Sequence, residues 1–160
     1  MPVNGKMKKQ REPINRFKDV PEMNVCLKEW QAQLNLSDWI FYPVMGDHLD
    51  ECNMAQNNFS PVHKSGKITI RRPVDPNWET CIVKCPDELS VVHELLHAKI
   101  LYPDGDGSPK DYIFELHYHQ AIEDIAKTLV ATKYGLPISW FDNTKLDSEL
   151  YPEKKEVEGT

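Results

Sequence analysis

No stretch of this chain approaches the roughly 18 apolar residues that a membrane-spanning helix needs, so no membrane partner is expected. Positive charge is also short. Nineteen Lys and Arg stand against 25 Asp and Glu, a formal net charge of −6, which gives no general basic footprint for nucleic acid. The exception is local: Lys6, Lys8, Lys9 and Arg11 form a basic arm, for which nucleic-acid contact is the minor reading. No apolar run follows them, so they do not read as a secretory signal, and the expected compartment is the cytoplasm. Cysteine is sparse as well. Cys26, Cys52, Cys81 and Cys85 supply no second closely spaced pair to complete a metal site, and in a cytosolic chain they are expected to be thiols. Internal repeats and low-complexity blocks are absent.

What is present suits one domain. With 160 residues, 40% hydrophobic and 28% charged, the chain can bury a core without disulfide or metal staples. Residues 1–19 are polar and patternless and are expected to form a flexible basic arm; 20–141 carry the domain, and 142–160 an acidic, polar tail. Leu27, Trp30 and Leu34 repeat at helical spacing after Pro21, predicting a first helix to about Leu34. Trp39–Met45 is aromatic and branched, predicting a strand whose Pro43 suits an edge. A weaker strand is expected from Cys52 to Phe59, then a turn at His63–Gly66 and an alternating strand at Lys67–Arg71. Together these predict a small antiparallel sheet with hairpin connections. Pro86-Asp87-Glu88 opens a second helix that the breakers after Leu101 end. Ser108-Pro109 opens a third, running to Tyr134 and closed by Gly135 and Pro137. His48, Asp50 and Glu51, and the pair Asp104 and Asp106, lack any ligand spacing and read as turns.

The second helix carries Val91-Val92-His93-Glu94-Leu95-Leu96-His97-Ala98. Residues four apart lie on one helix face, so His93 and His97 can offer ring nitrogens to a single ion. Glu94, beside the first of them, can reach a water on that ion. This is the HExxH pattern of zinc sites in which the glutamate is general base. Leu89, Val92, Leu96 and Ile100 are spaced to bury the other side. The plain alternative is two packed, hydrogen-bonded histidines.

A catalytic zinc takes three protein ligands and keeps one position for water. The third donor is sought on the helix 109–134, whose buried arc is marked by Ile122, Ile125, Ala126, Leu129 and Val130. Glu123 falls at the edge of that arc and His119 inside it, one turn earlier. A carboxylate beside a buried stripe is costly unless something pairs with it, which makes Glu123 the first choice and His119 the second. The one not used is placed to hold a ligand or the water by hydrogen bond.

With these residues the chain resembles a minimal gluzincin, the compact class of HExxH zinc metallopeptidases with a distant glutamate ligand. His93, Glu94 and His97 match the motif. His119-Gln120-Ala121-Ile122-Glu123-Asp124-Ile125-Ala126 is similar to the glutamate-bearing helix of small phage and bacterial zincins. The likeness spans about residues 20 to 135 and is specific only at the motif. Ile100 and Pro103 depart from the metzincin extension, and Lys127 stands where thermolysin-type enzymes have an aspartate. The resemblance implies an α+β zincin-like fold, one catalytic zinc held by His93, His97 and Glu123, and hydrolysis of a peptide or protein substrate with Glu94 as base. It further implies an edge strand for the substrate, with Lys67–Arg71 as candidate, and an oxyanion donor among Tyr102, Tyr112 and His117. Two other classes stay open: a zinc-stabilised binding or regulatory module with little turnover, and a metal-free binding domain.

Overall fold

Asp19 starts the first helix. Its Oδ1 accepts from Glu22 N–H (2.8 Å), Glu22 Oε2 accepts in return from Lys18 N–H (2.7 Å), and Pro21 lies in the first turn. The helix, α1, runs Val20–Gln33 and buries Met23, Leu27 and Trp30. It ends where Asn35 turns left-handed (φ 53°) and Leu36 N–H reaches back to the Gln31 carbonyl (2.9 Å). The computed structural model describes residues 12–46, 49, 53–72, 85–100 and 109–141. Among these follow β1 (Ile40–Gly46), β2 (Ala55–Ser60), β3 (Ser65–Arg71), α2 (Asp87–Lys99), α3 (Pro109–Tyr134) and a 3-10 turn (Ile138–Trp140). The architecture is α+β, three helices with one small sheet. No helix among the described residues is long and apolar enough to cross a membrane.

The sheet is mixed, where an antiparallel one was expected. Its order is β1-β3-β2: β2 and β3 form the hairpin, but β3 folds back between β2 and β1 and so lies parallel to β1. Period-2 alternation reads the same in either pairing, which is why the sequence does not reveal this. A second correction follows. Lys67–Arg71 belongs to the central strand, with Ile68, Thr69, Ile70 and Arg71 all buried, and the edges are β1 and β2. Pro43 does lie on an edge strand. The hairpin turn is Pro61–Lys64 rather than His63–Gly66. Gly66 instead sits in β3, where the Phe59 ring occupies the space of a missing side chain: a Cβ there would lie 2.1 Å from Phe59 Cδ1. Phe59 packs edge-on against Trp39 and Phe41, which stack on each other at 5.5 Å.

The core between sheet and helices joins Trp30 and Leu27 to Ile68, Ile70, Leu95 and Ile122. Carboxylates are buried with it as well. Asp87 and Glu88 open α2, and the segment before α1 caps them. Asp87 and Glu88 N–H donate to the Asn15 and Ile14 carbonyls (3.0 and 3.1 Å). In return, Phe17 N–H donates to Asp87 Oδ2 (2.8 Å) and Ile14 N–H to Glu88 Oε2 (2.9 Å). Arg16 pairs with Asp87 at 2.5 Å. Glu88, with no exposed surface, also accepts from Trp30 Nε1, Lys133 Nζ and Tyr134 OH, each at 2.8 Å. Residues 14–17 therefore cover the start of α2 and are not part of a loose arm. The amide donors that every helix start leaves over are met here by a distant segment of chain.

Candidate metal centre

α2 is buried on most of its surface, through Leu89, Val91, Val92, Leu95 and Leu96, and leaves His93 and His97 half-buried at the mouth of a cleft. Ile100, expected to join the buried side, is the C-cap and is 37% exposed. The cleft, about 940 Å³, lies between α2, α3 and β2. His93, Glu94, His97, His119 and Glu123 all line it, with Asn57 and Tyr118.

Three of the expected site residues form a group that could hold a metal ion. One ring nitrogen from each of His93, His97 and His119 falls within 4.8 Å of the others, the only such group of three or more among the described residues. His93 Nε2 and His97 Nε2 are 3.2 Å apart. A tetrahedral zinc with Zn–N bonds of about 2.0–2.1 Å sets its nitrogens about 3.3–3.4 Å apart, so that pair has the required spacing. The donor set fits zinc.

Glu123 stands behind this group. Its Oε2 is 2.9 Å from His93 Nδ1, and its Oε1 is 3.6 Å from Lys127 Nζ. The His93 hydrogen bond, with Lys127, holds its carboxyl below the usual range against the opposing effect of burial. The placement follows from the stripe on α3. Ile122, Ala126 and Val130 are buried but Ile125 is 40% exposed, so the arc is centred closer to His119 than five apolar residues suggest. His119 thus looks across at the histidine pair while Glu123 meets His93 from its far side.

Burial, then the neighbouring His93 and His119 imidazoles, push His97 down to about 4, and burial lowers His119 too. Both rings are thereby kept neutral and able to bind a metal at pH 7. Glu94 is 6% exposed, and burial raises its carboxyl, opposed by His93 and by Asn57. The Asn57 Nδ2 donates to Glu94 Oε2.

Of the remaining candidates, Tyr102 and the Tyr112 side chain lie outside the described residues, as do His48, Asp50, Glu51, Asp104, Asp106, Cys52 and Cys81. His117 is exposed and does not line the cleft. Tyr118 does, its ring 5.6 Å from that of His97 and its hydroxyl given to the Ile100 carbonyl. Cys26 and Cys85 are free thiols. Asn57 also lines the cleft, although no motif points to it. Its signal was available: a polar side chain at the inward position of a strand, between Ala55 and Phe59, needs a buried partner. The chain has no match among protein-family models, curated proteins or solved structures.

Proposed function

We propose that the chain is a zinc-dependent peptidase in which His93, His97 and His119 hold the ion and Glu94 is the general base. The observation that carries the reading is the convergence of three imidazoles on the cleft that Glu94 also lines. The ligand set differs from the one expected from sequence: His119 replaces Glu123, which becomes the acceptor that orients His93. A set of three histidines leaves the fourth position of a catalytic zinc open.

When bound, zinc would lower the pKa of a water toward about 7 and polarise the scissile carbonyl. Glu94 takes the proton from the attacking water as its oxygen bonds the carbonyl carbon. It then passes that proton to the amine as the C–N bond breaks. Its burial supports this role, since a carboxyl with a raised pKa is a better proton acceptor than an exposed one. The substrate would add to β2, the edge strand beside the cleft, in place of the central β3.

The test is metal analysis of protein purified without added zinc, followed by a peptide-library cleavage assay. One zinc per chain and chelator-sensitive cleavage are expected. Absence of metal uptake, even on adding zinc, would overturn the reading; stoichiometric zinc without any cleavage would favour a zinc-stabilised binding module.

A further inference from the structure

Strand β2 does more than border the cleft. Gln56 and Asn58 are exposed, whereas Ala55, Asn57 and Phe59 are partly buried, so Asn57 is turned inward. Its amide is the only hydrogen-bond donor to the Glu94 carboxylate among the described residues. An ionised carboxylate has no proton to give, so the amide nitrogen must be the group facing it.

We propose that Asn57 is a positioning residue for proton transfer, holding Glu94 Oε2 so that Oε1 is left to receive the proton of the attacking water. The inference rests on the peptidase reading. A glutamate side chain has three rotatable bonds, and one next to a histidine ligand can swing toward the ion and fill the position that water needs. Helix α2 supplies no group to prevent this; the restraint comes from a neighbouring strand. The same strand is the proposed dock for substrate, so the base and the scissile bond are located from one piece of backbone. A displacement of about 1 Å in such an arrangement can cost on the order of 100-fold in rate.

The experiment compares wild type with Asn57→Ala and Asn57→Asp. The aspartate preserves the shape but has no donor and sets a second carboxylate against Glu94. Each protein is loaded with Co²⁺ and its visible spectrum recorded, zinc content and melting temperature are measured, and kcat and KM are determined on dye-quenched casein. Asn57→Ala is expected to keep one metal per chain and to lose about 10- to 100-fold in kcat with KM unchanged. Its Co²⁺ absorption should weaken, as Glu94 is released to join the coordination shell. Asn57→Asp should be at least as impaired despite its shape. A Co²⁺ spectrum in Asn57→Ala identical to wild type, or wild-type kcat in Asn57→Asp, would overturn the assignment while leaving the peptidase reading intact. Failure of wild type to bind Co²⁺ at all would instead sink that reading, and this one with it.

Discussion

His93 Nδ1 and Glu123 Oε2 lie 2.9 Å apart, and that contact decides which end of the imidazole is left for a ligand. An ionised carboxylate can only accept, so this contact favours a proton on Nδ1 and leaves Nε2, the nitrogen that faces His97, as the end that could take a metal. On the proposed reading, Glu123 supports His93 from outside the coordination shell. His119→Ala is therefore expected to abolish stoichiometric zinc. Glu123→Gln should keep zinc bound, with affinity reduced by about 10- to 100-fold. Zinc titration against a competing chelator measures both. The reverse order would make Glu123 the ligand.

The two carboxylates that open α2 respond to pH in opposite senses. Burial alone would raise Glu88, but Lys133, the Ile14 amide, Trp30 and Tyr134 outweigh it and hold the carboxyl below its usual range. Its stabilisation is full above the unfolded value near 4.5 and is lost as pH falls below that. Asp87 is raised by burial to about 6 despite Arg16 and the Phe17 amide, so the folded state holds its proton more tightly than the unfolded chain. That contribution is present below about 4 and lost as pH rises through 6. Denaturant unfolding from pH 3 to 7 should thus show Asp87→Asn removing a decline in stability between about pH 4 and 6. Glu88→Gln should cost less at pH 7 than the roughly 3–5 kcal/mol of a stranded buried charge, because Lys133 keeps its ion pair with Glu29 at 3.0 Å.

How far the sequence could be read depended on whether a feature was local. Periodicity and end signals located the helices: α3 closes at Gly135 (φ 67°), with Leu136 N–H bonded to the Ala131 carbonyl at 2.9 Å, as the Gly and Pro there require. That His93, Glu94 and His97 share one cleft was legible because their spacing needs only helix geometry. What escaped was set by contacts between distant segments. The parallel pairing of β1 with β3, the covering of the α2 start by residues 14–17 and the Asn57–Glu94 bond all join elements whose relative placement no spacing encodes. Glu123 and His119 fall between these cases. Both line the cleft, but which of them stands beside the His93–His97 pair depends on what α3 packs against, as the exposure of Ile125 shows.

Gly66 offers a test of the sheet independent of any metal. A methyl group there would stand 2.1 Å from the Phe59 ring, which packs edge-on against both Trp39 and Phe41. The ring must shift, and overpacking of this kind costs about 1–3 kcal/mol. Gly66→Ala should lower the unfolding free energy by that amount, read from denaturant titration, and adding Phe59→Leu should recover part of it. Additive losses in the double variant would show that the two positions do not meet.

On the proposed reading, Glu94 is the residue whose replacement separates catalysis from metal binding. Its replacement by Gln keeps the size of the side chain and removes the basicity. On α2, next to His93 and one turn from His97, the amide leaves all three imidazoles in place, so zinc content should be unchanged. Asn57 can still donate to the amide oxygen, so the local packing should hold and the melting temperature should stay near that of wild type. Hydrolysis should fall by at least about 10²- to 10⁴-fold, the range contributed by a positioned general base. Loss of metal in this variant would mean that Glu94 is a ligand. Retained turnover would mean that another group in the cleft accepts the proton, with Glu123 the next carboxylate to test.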